Sequence, residues 1–181
     1  IMQYWRKKRR ITQAHLETWI DWKVLALVMK EASHRMKLFI SKWTSDQVAV
    51  GSVMVKRGER VSGLCPICGM EQETRIHLLR CRHNSKTWKK ARQPLKEWMR
   101  KQDTDPDIAE AILDILRKFQ KTEDFDTYAP QGYSHDLQFC LNAQTHLGNI
   151  NFLEGFLTYD WAVLQQQYYK KIGSRKTGTR W

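Results

Sequence analysis

Long hydrophobic runs are missing from this 181-residue chain. No stretch approaches the roughly 18 apolar residues that a bilayer-crossing helix needs, so no membrane partner is expected. A secretory signal is missing too. The opening IMQYWRKKRRITQ is basic, but no apolar segment follows it at the required distance. There is no internal repeat, no low-complexity tract and no alternation of the kind a parallel sheet shows. The phosphate-loop order G-x-x-x-x-G-K-[ST] is absent, so the closing GSRKTGTR is not a nucleotide cradle. Acidic residues are in deficit, 19 against 31 Lys and Arg, which leaves a formal charge of +12. Those acids gather at 103–126, in helix caps and a turn-rich loop. A nuclease or RNase H needs carboxylates converging on divalent ions in a sheet context. No enzymatic activity is therefore expected of this segment.

What is present reads as mostly α. Apolar residues make up 41% of the chain and include eight tryptophans, enough to build a core. Asp21 is a candidate N-cap, and Trp22, Leu25, Met29, Ala32, Met36, Phe39 and Trp43 follow at helical spacing. One helix of about two dozen residues is expected there, with Ser33 and His34 marking any break. Residues 46–58 are ambiguous. Their valines favour a strand, whereas Asp46 and Gly58 could bound a short helix. A helix carrying Trp88, Ala91, Leu95, Trp98 and Met99 on one face follows, with a kink or restart expected at Pro94. Asp105 and Pro106 open a clear helix with Ile108, Ile112, Ile115, Leu116 and Phe119 as its apolar stripe. Residues 122–133 read as a loop or linker. A helix through Leu137, Cys140, Leu141 and Leu147 ends near Gly148. A last amphipathic segment carries Phe152, Phe156, Trp161, Leu164, Tyr168 and Ile172. Three regions result: a basic arm and long helix at 1–45, a central module at 46–101, and a helical region at 102–181. Both ends look cut, as in a segment of a longer intracellular protein, nuclear or cytoplasmic.

Cysteine is rare, yet three of the four cysteines and one of the six histidines fall within seventeen residues, CPICGMEQETRIHLLRC. Cys65, Cys68, His77 and Cys81 are spaced C-x2-C-x8-H-x3-C. The Cys65–Cys68 gap suits a tight turn that aims two sulfurs at one point, and Gly69 follows where positive φ is often needed. His77 and Cys81 lie one helical turn apart on the same face. Such a set suits one structural Zn2+, with no corner left open for catalysis. A disulfide would leave His77 without a role and lacks a secretory context. A redox C-x-x-C would want a βαβ unit, which is not seen. Cys140, on an apolar face, reads as core.

The charge excess favours phosphate-bearing partners. Lys86, Lys89, Lys90, Arg92, Lys96 and Arg100 would contact a nucleic-acid backbone from the helix after Cys81. Arg6, Lys7, Lys8, Arg9 and Arg10 form a second cluster, a phosphate grip or an import signal. Trp88 and Trp98 are either base-stacking platforms or core residues.

The stretch GSVMVKRGERVSGLCPICGMEQETRIHLLRCRHNSKTW resembles the C-terminal zinc-binding region of non-LTR retrotransposon reverse transcriptases. Gly58, Cys65, Pro66, Cys68, Gly69, Glu71, Glu73, His77, Leu78, Cys81 and Trp88 fill that family's pattern, with Ile76 where a Glu usually precedes the His. The resemblance implies a short helix ending at Gly58. It also implies a zinc module that helps grip template RNA or target DNA, with polymerase chemistry upstream. The flanks are similar to the region after an RNase H-like domain in some protist retroelement polyproteins, so upstream reverse transcriptase or RNase H domains are implied partners. The expected fold is a small zinc-stabilised turn-plus-helix unit flanked by amphipathic helices. A scaffold module that binds protein without touching nucleic acid is the alternative.

Overall fold

The computed structural model describes residues 12, 14–121 and 123–181, the side chains of His15, Leu16, Ser85, Lys89, Glu123, Asp124 and Arg180 excepted. Two side-chain caps split the expected long N-terminal helix. Asp21 Oδ1 accepts from the Lys23 and Val24 N–H groups, both at 3.1 Å, and starts α1 (Trp22–Glu31). Ser33 Oγ accepts from the Met36 N–H at 3.3 Å and starts α2 (His34–Thr44). Ala32 between them is extended, so the break falls where a serine offers the backbone an alternative partner.

Residues 46–58 hold a helix, α3 (Gly51–Lys56), followed by Gly58 at φ 71°. Asp46 does not cap it, contrary to one of the two readings. Asp46 sits at φ 56° and pairs with Arg75 instead. The first N–H of α3, on Gly51, is satisfied from far along the chain by Glu73 Oε2 at 2.8 Å. A Cβ on Gly51 would stand 2.8 Å from the Gly63 carbonyl oxygen, so only glycine lets these segments meet.

The remaining α-helices are α4 (Arg75–Arg80), α5 (Ser85–Lys101), α6 (Pro106–Phe119), α7 (His135–Leu147), α8 (Asn149–Leu153) and α9 (Tyr159–Lys171). Among the described residues no strand forms beyond the isolated bridges Ile20–Thr158 and Leu64–Gln72. No described helix is long and apolar enough to cross a membrane. α6 begins as its sequence suggests: Asp105 caps, Pro106 takes the first position, and Ile108, Ile112, Ile115, Leu116 and Phe119 are buried. Leu137, Cys140 and Leu141 of α7 and Trp161 of α9 complete that core with Met99 of α5. Each large apolar side chain so buried contributes about 1.5–3 kcal/mol.

Three details depart from the sequence pattern. α5 runs through Pro94 without a restart. The ring removes the donor that Lys90 O would use, but both residues are exposed and water can serve that carbonyl. Residues 123–127 are more than a linker. They form a 3-10 turn that drives Phe125 wholly into the core, 4.6 Å from the Phe119 ring centroid. The last amphipathic segment divides at Gly155, and α9 buries Trp161, Gln165 and Tyr169 fully, while Leu164 packs partly buried against the core and Ile172 is exposed.

The reason is polar. Gln165 Oε1 accepts from the Asp105 N–H and its Nε2 donates to Asp103 O, each at 3.0 Å, and the Tyr169 hydroxyl donates to Gln102 O at 2.7 Å. Together they serve the turn between α5 and α6, whose backbone groups would otherwise be stranded. Gln144, fully buried on α7, does the same for the approach to α9. Its Nε2 donates to Phe156 O (3.2 Å), and its Oε1 accepts from the Thr158 N–H (3.2 Å) and Trp161 Nε1 (3.1 Å). Gln144→Leu keeps the volume and strands all three partners. Urea unfolding should show a loss of roughly 2–4 kcal/mol.

Candidate metal centre

The site is assembled from a turn, a short ribbon and one helix. Residues 65–69 fold back on themselves: the Gly69 N–H donates to Cys65 O at 2.7 Å, and Gly69 adopts φ 67°. The Cys65 N–H then donates to Glu71 O and the Glu73 N–H to Gly63 O, both at 2.7 Å, which closes a narrow loop. Thr74 Oγ1 accepts from the His77 N–H at 2.9 Å and starts α4. His77 sits in the first turn of α4, and Cys81 lies directly after its last residue, its N–H donating to His77 O at 2.7 Å.

The four predicted ligands converge. Their donor atoms all lie within 4.8 Å of one another. A tetrahedral ion with metal–sulfur bonds of about 2.3 Å and a metal–nitrogen bond of about 2.0 Å would set sulfurs about 3.8 Å apart and a sulfur–nitrogen pair about 3.5 Å apart. Cys65 Sγ stands 4.0 Å from Cys81 Sγ, and Cys68 Sγ 3.4 Å from His77 Nε2. The cysteines are free thiols, so no disulfide competes for the sulfurs. The residues therefore fit a single four-coordinate metal ion. Cys140 stays apart, buried in the core, where burial pushes its thiol up.

The electrostatics prepare the set unevenly. Backbone N–H groups of Met70 and Glu71 hold the Cys68 thiol down at about 6. Burial pushes the Cys81 thiol up. Burial opposes charge on His77, but its contacts with Cys65, Cys68 and Glu71 outweigh that and hold the imidazole above its usual range.

No protein-family model, curated protein or solved structure matches this chain. Its functional reading rests on the residues themselves.

Several of those residues carry no signal in ligand spacing. Glu71 Oε2 lies 3.1 Å from His77 Nδ1, so the carboxylate fixes which ring nitrogen faces the sulfurs. Glu73 braces the loop, accepting from Gly51 N–H and from Arg60 Nη1, both at 2.8 Å. Arg75 ties α4 to the helical body. Its Nη1 pairs with the buried carboxylate of Glu154, and its Nε lies 2.5 Å from Asp46 Oδ1, an ion pair without hydrogen-bond alignment. Trp43 places its ring 5.3 Å from the same guanidinium. Arg80 Nε donates to Phe119 O at 3.1 Å, and its guanidinium lies 4.8 Å from the Phe119 ring centroid.

The predicted cations fall as follows. Lys86, Lys90, Lys96 and Arg100 are exposed on α5, and Arg92 is half-buried. The Lys89 side chain and residues Arg6, Lys7, Lys8, Arg9 and Arg10 lie outside the described residues. The proposed apolar face of α5 is narrower than its spacing suggests: Trp88, Leu95 and Met99 face the core, while Ala91 and Trp98 are exposed. His83 lies in a 3-10 turn, Arg82–Asn84, outside the quartet.

Glu71→Gln should keep the fold and lower metal affinity by about tenfold, the lower end for loss of a ligand's carboxylate partner, because Glu71 is 71% exposed. Competition with a chromophoric chelator measures it. Metal retention should fall as the pH is lowered in both proteins, since protons compete with the ion for the three thiolates and the His77 imidazole.

Proposed function

We propose that this chain is a zinc-stabilised nucleic-acid-binding module of a retroelement reverse transcriptase polyprotein. The observation that carries the zinc is the convergence of three thiols and one imidazole at tetrahedral spacing. Soft thiolates disfavour magnesium and calcium, and four protein donors leave no corner for a reacting water. The ion's part is structural: it holds the Cys65–Cys68 turn against α4 and so sets where α5 begins. Polymerase chemistry belongs to domains upstream.

Support for nucleic acid is the charge and its placement. The chain carries +12. On α5, Lys86, Lys90, Lys96, Arg100 and Lys101 occupy the exposed side away from Trp88, Leu95 and Met99, with Glu97 as the one acid among them. Such a row matches a phosphate backbone and releases counterions on binding. The resemblance of residues 51–88 to the reverse transcriptase zinc region supports the retroelement context.

Titration of a labelled oligonucleotide at several salt concentrations tests this. Lys90→Glu with Arg100→Glu should weaken binding and flatten the log–log salt slope by roughly one for each phosphate no longer neutralised. Affinity that is unaffected by charge reversal, or absent in the parent protein, would refute the reading.

A further inference from the structure

The described tryptophans are shared between core and surface, and Trp98 is the one that stands out on α5. It is 46% exposed, whereas Trp88 on the same helix packs edge-on against Phe119 at 6.3 Å. Trp98 forms one wall of an apolar groove of about 370 Å³ whose other walls include Val28, Leu95, Leu153 and Trp181. A wide aromatic face left half in water at the mouth of a groove loses free energy unless something covers it.

The surroundings say what fits. Lys101 follows Trp98 by three residues, one turn along the same side of α5. Lys176 crosses the end of that helix: its Nζ donates to Lys101 O at 3.1 Å and pairs with Asp103 Oδ2 at 2.8 Å. This anchors the C-terminal stretch beside α5 and brings Lys176 next to Lys101 at the end of that helix. The result is an aromatic wall with cations along its edge. A paired duplex presents no free base face to such a wall, whereas a single strand offers phosphates to the cations and an unpaired base to the ring.

We infer that the nucleic acid bound is single-stranded, with one unpaired base stacked on Trp98 and the adjoining phosphates held by Lys101 and Lys176. This rests on the nucleic-acid reading above and narrows it. Trp98 is a binding residue, and Lys176, which belongs to no recognisable motif, lies on the same face.

The test compares a single-stranded oligonucleotide with the blunt duplex of equal length, using the whole chain and three variants. Trp98→Leu keeps an apolar side chain in the groove and removes the stacking ring. It should weaken single-strand binding about 5- to 100-fold and leave duplex binding unchanged. Trp98→Phe should recover most of the loss, which a merely structural role would not require. Lys101→Glu with Lys176→Glu should weaken both. Circular dichroism of each variant guards against misfolding, and the Phe variant decides the case if the Leu variant is unstable. Binding that Trp98→Leu leaves intact, or weakens equally for duplex and single strand, overturns this inference but not the wider one. Absence of any oligonucleotide binding by the parent chain removes both. A concentration-dependent dimer that Trp98→Leu abolishes would assign the groove to a second copy and likewise overturn it.

Discussion

Four atoms able to bind a metal ion meet at one point in a stretch of chain that has little else to hold it together. Residues 61–74 contribute no apolar core. Val61 and Met70 are largely bare to solvent, and Leu64 and Ile67 are exposed as well. The buried side chains of the unit are Cys65, His77 and Cys81 themselves. A few backbone hydrogen bonds close the loop, but such bonds contribute only about 0.5–1.5 kcal/mol each against comparable backbone entropy. In a segment built this way the energy of metal binding is the energy of folding.

The unit is nevertheless not independent of the body. Ile76 and Leu79 of α4 pack on the main core, and Arg75 and Arg80 fasten the two ends of that helix to Glu154 and Phe119. Glu154 is buried, so the Arg75 pair is costly to break once made, even if its net contribution over an apolar contact is small. Through these ties the quartet does more than stabilise a loop. Cys81 ends α4, the Asn84 N–H returns to Cys81 O at 2.8 Å, and α5 departs from there with its cationic side outward. The direction of the basic helix is thus a consequence of ligand geometry one turn earlier.

What the sequence makes legible is whatever is local. The ligand quartet follows from spacing and the start of α6 from Asp105 and Pro106, whereas the Ser33 cap that divides the expected single N-terminal helix does not interrupt its apolar spacing. Contacts between distant segments could not be read. Asp46 looks like a cap until Arg75, 29 positions on, claims its carboxylate. Phe125 sits in an acidic, turn-rich stretch that reads as linker, yet it fills a hole beside Phe119. Gln144 and Gln165 break the apolar rhythm of their helices because they answer stranded backbone groups, which apolar periodicity cannot register. Trp98 shares the spacing of Trp88, but the core reaches only one of them.

Amide hydrogen exchange over residues 61–84, in protein as isolated and in protein verified metal-free after chelation, measures the central claim most directly. Protection in that stretch should collapse on removal of the ion, while α6, α7 and α9, which have their own apolar core, keep theirs. Equal protection across 61–84 in the two samples would contradict the account.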